Sequence, residues 1–326
     1  MSSKRWAALI IAIALFFIST FYQLATNKTA NQDSFFSTED FVEKVTKTGN
    51  LGAGKIAVIH LDGVIMDTGS SFFSAYNHKD FLKKIEKAAI DPGIDGLIIN
   101  VNSPGGGVVE SAEIHEKIVE AQEAYDKPVY ISMGNTAASG GYYIAAPADK
   151  IFANRATLTG SIGVIMESIN YAELAENVGI DFNTIKSGEF KDILSSSRPM
   201  TDEEREILQT MIDDLYADFV DVIVAGRGMS EEEVRRIGDG RVYTGKQAQE
   251  LGLIDEIGTL DDVITAMEED FEFGNTTVVE YEVGFNLQSV FGLTAQYFSG
   301  SKEEWGGLLQ EIRNAGGPRA MYLYSH

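Results

Sequence analysis

The polar and apolar positions divide the chain into three regions of different character. Lys4 and Arg5 precede Trp6–Leu24, nineteen residues without a charge. As a helix at ~1.5 Å per residue this run spans roughly 28 Å, close to a hydrocarbon core of ~30 Å. Trp6 and Tyr22 stand near its ends, where amphipathic rings favour a membrane interface. The pattern predicts a transmembrane anchor over residues 6–25, with a cytoplasmic tip of residues 1–5 and the rest of the chain outside. A cleaved signal peptide usually has a shorter apolar stretch, and no small-x-small site follows Leu24. Residues 26–54 are polar and read as a stalk, with a short helix near Glu39–Val45.

From Lys55 short apolar runs alternate with helical periodicity. Ile56–Leu61 predicts a buried strand. His78–Ile90 carries Phe81, Leu82, Ile85, Ala88 and Ala89 at helical spacing and is stopped by Asp91-Pro92-Gly93. Gly96–Val101 is a second strand, Val108–Tyr125 a helix, Val129–Met133 a third strand and Lys150–Ala153 a fourth. This alternation predicts an α/β domain with parallel pairing. Further on, Thr201-x-x-Glu204 forms a capping box that opens a helix to about Ala225. Helices follow over Glu231–Ile237 and Lys246–Leu251, with a late strand at Val278–Val283. Ser299–Gly317 is rich in glycine and charge and specifies little. The domain is expected over 55–298 and a tail over 299–326.

Composition narrows the function classes. The net charge is −23, and such a surface repels phosphate backbones, which disfavours nucleic-acid binding. There is no cysteine, so disulfides, a thiol nucleophile and thiolate metal sites are excluded.

Two units of the α/β region match. Leu97–Val101 runs into Asn102-Ser103-Pro104-Gly105-Gly106-Gly107 and then a helix. Val129–Met133 runs into Gly134-Asn135-Thr136-Ala137-Ala138-Ser139-Gly140-Gly141 and then a helix. Strands joined by a crossover helix lie parallel, usually side by side. Both loops then sit at the carboxyl edge, where open α/β sheets place their sites. Gly105–Gly107 lets backbone N–H groups approach a ligand, and Ser139 presents a hydroxyl among small residues at a helix start. A nucleophile beside free N–H donors suits acyl transfer. The plainer reading makes Ser139 an N-cap and the glycines tight turns. Phosphate binding lacks support, because neither Gly-Lys-Ser/Thr nor G-x-G-x-x-G is present.

A serine nucleophile needs a base. His60 ends a buried strand, His78 begins a helix, His115 lies on a helix face and His326 ends the chain, so a Ser-His-Asp triad is poorly supported. The Ser-x-x-Lys spacing is also missing. A distant lysine remains, since burial can lower its pKa towards neutrality. Lys191 in Ser187-Gly188-Glu189-Phe190-Lys191-Asp192 is the candidate, although taken alone it reads as an ordinary surface lysine.

These segments occur in order with Thr159-Gly160-Ser161-Ile162-Gly163-Val164, Gly240-Arg241-Val242-Tyr243-Thr244-Gly245 and Gly252-Leu253-Ile254-Asp255. The set resembles the signal peptide peptidase A family in its short, single-copy form, over about Lys55 to Gly258. The resemblance implies a ClpP/crotonase-like fold of repeated β-β-α units and a serine-type endopeptidase without a cofactor or metal. It implies Ser139 as nucleophile, Lys191 as general base, Ser161 as the residue orienting the lysine, and an oxyanion hole from the N–H groups of Gly106 and Gly140. It further implies homo-oligomers whose neighbouring subunits complete the substrate grooves, remnant signal peptides as substrates, and a single-pass cell-membrane protein with its catalytic domain outside. The competing readings are a binding or scaffolding protein with an idle Ser139, and a crotonase-type acyl-CoA enzyme. The apolar tail Ala320-Met321-Tyr322-Leu323-Tyr324 is similar to the peptides such an enzyme cuts, which predicts docking in a substrate groove, its own or a neighbour's.

Overall fold

A computed structural model of the chain describes residues 41–68, 76–283 and 320–324. The apolar span of residues 6–25, the tip before it, the segment 299–319 and His326 lie outside the described residues. No described helix is long and apolar enough to cross a membrane. Residues 44–281 and 306–326 form one compact unit, which holds the site. Residues 1–43 and 282–305 form another.

The described chain opens with β1 (Phe41–Lys47) and β2 (Lys55–Asp62), followed by α1 (His78–Ile90) and β3 (Gly96–Ser103). Next come β4 (Gly105–Gly107), α2 (Val108–Glu123), β5 (Val129–Ala138), α3 (Gly140–Ala145), β6 (Lys150–Ala153) and β7 (Leu158–Gly160). Then follow α4 (Ala172–Asn177), a 3-10 turn (Glu189–Asp192), α5 (Asp202–Arg227), α6 (Glu231–Ile237), β8 (Val242–Thr244) and α7 (Gly245–Glu250). The described chain closes with β9 (Glu256–Ile257), α8 (Leu260–Asp270), β10 (Thr277–Val283) and β11 (Met321–Leu323).

The strands β10, β2, β3, β5, β6 and β9 run parallel side by side. A parallel sheet is covered on both faces, so its strands are apolar at successive positions. One face carries Ile56, Val58, Ile98, Tyr130 and Phe152 against Val263, Ile264 and Met267 of α8. The other carries buried Ala57, Ile59, Leu61, Leu97, Ile99 and Ile131, with α1 against β2 and α2 against α1 and β5. Alternate side chains point to opposite faces, so both sets come from the same short runs.

Three expectations change. Of the stretch read as a short helix near Glu39–Val45, the described part, Phe41–Val45, belongs to β1, a strand at the sheet's edge beside β10. Thr46 Oγ1 donates to the Val278 carbonyl at 3.3 Å, and β-branched Val42, Val45 and Thr46 favour that conformation. The loop expected at Gly134–Ala138 continues β5, because Thr136, Ala137 and Ala138 pair with β7. The glycine loop at Gly105–Gly107 is itself a short strand, whose partner is β11.

Candidate active site

β3 and β5 are parallel neighbours in the register Ile98↔Tyr130 and Ile99↔Ile131, with a shift before Ser103↔Ala137. The two glycine-rich segments that follow them therefore meet at one edge. β7 adds to β5 with Ala138↔Gly160, which brings Ser161 next to Ser139 across the pair.

Ser139 stands between β5 and α3 with φ 53° and ψ −117°. It occupies the N-cap position, yet its side chain caps nothing. The plain N-cap reading thus fails on geometry. A positive φ at a non-glycine residue is strained and persists only when its surroundings fix it. Here the Ser139 N–H donates to the Gly160 carbonyl at 2.7 Å, while its own carbonyl accepts from Tyr142 and Tyr143 N–H. Ser161 repeats the feature at φ 50° and donates its N–H to the Arg241 carbonyl at 2.8 Å. Both serines are buried.

The glycines explain themselves by close approach. Gly105 has φ +98°, and a Cβ there would lie 2.0 Å from the Tyr322 carbonyl oxygen and 2.6 Å from Gly140 N. A Cβ on Gly140 would lie 3.1 Å from both Gly106 N and the Tyr322 oxygen. Gly106 N, Gly140 N and one peptide carbonyl therefore share a space that only glycine leaves open.

That carbonyl belongs to the chain's own tail. β11 pairs antiparallel with β4, in the register Tyr322↔Gly106. Tyr324 N–H donates to the Pro104 carbonyl at 2.8 Å, so the next hydrogen-bonded pair, two residues on, is Gly106 with Tyr322. On the other edge of the tail, Ile165 and Met321 exchange N–H···O bonds at 3.0 Å each way. The docking expected from the apolar tail is thus present within the chain, with the segment held as a strand between two backbone edges. Tyr322 is 1% exposed. Its ring stacks on Tyr143 at 5.0 Å and 24°, meets Phe219 at 4.7 Å, and its hydroxyl donates to the Leu215 carbonyl at 3.0 Å. Burial, with Asp218 and Glu116 nearby, pushes the Tyr143 phenol up to about 12.

Lys191 is not part of this cluster. It lies on the exposed 3-10 turn Glu189–Asp192, and its amine engages none of the described residues. The histidines lie elsewhere. His60 contacts Glu280, and His78 is held between Tyr76 Oη and Glu113 Oε2 at 2.6 Å each. His115 faces Tyr143 at 5.4 Å, and burial lowers its pKa. Among the described residues no group of three or more acidic or histidine side chains could hold a metal ion.

The sequence assigned no role to Tyr143 or Phe219, which wall the Tyr322 pocket. The aromatic pair Tyr142-Tyr143 directly after Ser139-Gly140-Gly141 was the available signal for a side-chain pocket.

A model of peptidase family S49 matches residues 121–273. An Enterococcus faecium protein bearing the name signal peptide peptidase SppA is 35% identical over 99% of both chains. The chain belongs to peptidase family S49. Another relative of this S49 chain is the chloroplastic serine protease SPPA of Arabidopsis thaliana, 35% identical over 65% of this chain and 32% of that one. The S49 chain is a serine-type peptidase on a mixed α/β fold rich in parallel strands. A solved chain of a ClpP1 point mutant from Listeria monocytogenes aligns with 63% of the S49 chain and 92% of its own length at TM-score 0.41 and 19% identity.

Proposed function

We propose that this S49 peptidase is a membrane-anchored endopeptidase that degrades remnant signal peptides, with Ser139 as nucleophile and Lys191 as general base. The observation that carries the reading is the Tyr322 carbonyl. It lies against Gly106 and Gly140 beside a strained serine whose hydroxyl caps nothing. A substrate carbonyl in that seat has its oxygen facing two N–H donors. Ser139 Oγ attacks the carbonyl carbon while neutral Lys191 Nζ takes the hydroxyl proton. The oxyanion that forms is held by the Gly106 and Gly140 N–H groups. On collapse the C–N bond breaks, and the lysine returns its proton to the leaving amine. Water then repeats the sequence on the acyl ester of Ser139. Ser161, beside Ser139 across the β5–β7 pair, is suited to orient the lysine amine. The scheme uses neither metal nor nucleotide.

Lys191 has to come from a neighbouring subunit of a homo-oligomer. Its amine engages none of the described residues, and the segment leading to it exposes Ile169, Leu174, Val178 and Ile185, apolar surface suited to a second copy. The fold is of the ClpP/crotonase-like kind, a reading supported by the β3–β4–α2 order and the oxyanion seat at β4. The apolar span over residues 6–25, with Lys4 and Arg5 before it, supports a single-pass anchor in the cell membrane with the peptidase domain outside. A peptide lying in the groove as the tail does would be cut after a residue seated like Tyr322, and hydrophobic signal-peptide remnants suit such a pocket.

Mass spectrometry of the products from a set of signal peptides tests the proposal. Wild type should release fragments, while Ser139→Ala and Lys191→Ala should release none and keep the wild-type melting temperature. Retained turnover in either purified variant would sink the assignment.

A further inference from the structure

No residue of the turn Glu189–Asp192 is buried. Apolar packing therefore does not fix it, and the direction in which Lys191 projects depends on polar ties. Those ties converge on Arg198. Its Nε donates to Asp192 Oδ2 at 2.9 Å, and its Nη2 donates to Asp192 Oδ1 at 2.6 Å and to the Asp192 carbonyl at 3.2 Å. The other side of the guanidinium donates to both oxygens of Glu204, with Nη1 to Oε2 at 2.8 Å. Glu204 in turn belongs to the capping box of α5. Thr201 N–H donates to Glu204 Oε2 at 2.9 Å, and Glu204 N–H donates to Thr201 Oγ1 at 3.2 Å. A bidentate guanidinium thus rivets the turn to the start of a 26-residue helix. Lys186 closes the other side, donating to Asp192 Oδ1 at 2.6 Å and to the Glu189 carbonyl at 2.7 Å.

The arrangement also bears on the lysine's charge. Asp192 follows Lys191 directly in the chain. A carboxylate free to approach an amine favours the protonated form, which is useless as a base. The charged groups gathered around the turn are Lys186, Glu189, Asp192, Arg198 and Glu204. Asp192 is the acidic group nearest to Lys191 in sequence, and both of its oxygens are already taken.

We propose that Arg198 is the positioning residue for Lys191, fixing the turn that projects the amine and occupying the Asp192 carboxylate so that it does not pair with that amine. The proposal rests on Lys191 being the general base. It assigns Arg198 no contact with substrate.

The pH dependence of kcat/KM separates positioning from a merely structural role. The probe is a fluorogenic peptide with tyrosine before the cut, and the full-length protein is used in detergent. Arg198→Met should lower kcat/KM by about 10²-fold, the scale of a small misplacement of a reacting group. The midpoint of its alkaline rise should move up by about one pH unit as Asp192 reaches the amine. Adding Asp192→Asn should return the midpoint to that of wild type while leaving most of the rate loss. Arg198→Lys keeps the charge but not the fork, and should show a smaller loss and a smaller shift in the same direction. Melting curves check that each variant is folded. If Arg198→Met does not fold, Arg198→Lys carries the test alone. A lost rate with an unmoved midpoint, or a wild-type profile in the folded variants, overturns the proposal. Turnover in Lys191→Ala would instead remove its foundation, and that result is read independently of any Arg198 variant.

Discussion

At φ 53°, Ser139 occupies a conformation that costs a non-glycine residue about 1–3 kcal/mol. The strain is held by the Gly160 carbonyl and by α3 closing onto the Ser139 carbonyl. The sequence placed Ser139 at a helix start after an apolar strand, and there the plainer reading was an N-cap. What the sequence left open was whether Ser139 merely caps α3, and the backbone geometry answers that. Arg198 was not legible. Its partners Asp192 and Glu204 each lie six positions away, about 9 Å along a helix and about 20 Å along a strand, so no local pattern announces the contact. Of the pocket around Tyr322, Tyr143 was signalled by the pair Tyr142-Tyr143 after Ser139-Gly140-Gly141, whereas Phe219 comes from the distant α5 and was hidden. A prediction belongs to this scale. Phe219→Ala removes one aromatic wall, and such a ring pair contributes about 0.5–1.5 kcal/mol. Product mapping by mass spectrometry should show cleavage after aromatic residues falling, by up to about tenfold at the upper end of that range, relative to cleavage after leucine. An unchanged ratio would mean that the Tyr322 seat is not where the residue before the cut resides.

Elements with a strong local pattern came out close to their expected bounds. His78–Ile90, Glu231–Ile237 and the capping box at Thr201 are examples, because caps and apolar spacing act within a few residues. Elements defined by a distant partner did not. Gly105–Gly107 is a strand only because Met321–Leu323 lies beside it, and Phe41–Lys47 only because β10 does. Helix α8 was missed despite its own signal, the Thr259-x-x-Asp262 capping box ahead of Val263, Ile264 and Met267. The start of α5 gives a pH prediction. Glu204 is held at about 2, below the usual 4.5, chiefly by Arg198 and then by the Thr201 N–H. A depressed carboxyl contributes stability that is present above its unfolded value and lost as pH falls through its folded value. Glu204→Gln should therefore melt below wild type at neutral pH. The gap should narrow below about pH 4.5 and close near pH 2. Calorimetric melts across that range would show it, and a gap independent of pH would refute the electrostatic account of this cap.

For the whole molecule, parallel order is what collects the chemistry. A sheet of parallel strands places the segments after β3 and β5 at one edge, and this followed from chain connectivity before any coordinates. The completion of the site was not readable in the same way. Ser139, Ser161, Gly106 and Gly140 converge within one chain, whereas Lys191 stands exposed on a separate turn. On the proposed reading the two halves are complementary only between copies, and no single sequence displays which surface meets which. The proposed arrangement is therefore one active site shared by two subunits. Its most direct test is peptide cleavage by Ser139→Ala and Lys191→Ala, each purified alone and then co-expressed and co-purified as mixed oligomers. Neither variant alone should turn over peptide, and the mixed oligomer should recover turnover, because there an intact Ser139 meets an intact Lys191 from its neighbour. Turnover by either variant alone, or a mixed oligomer that stays inactive, would contradict that arrangement.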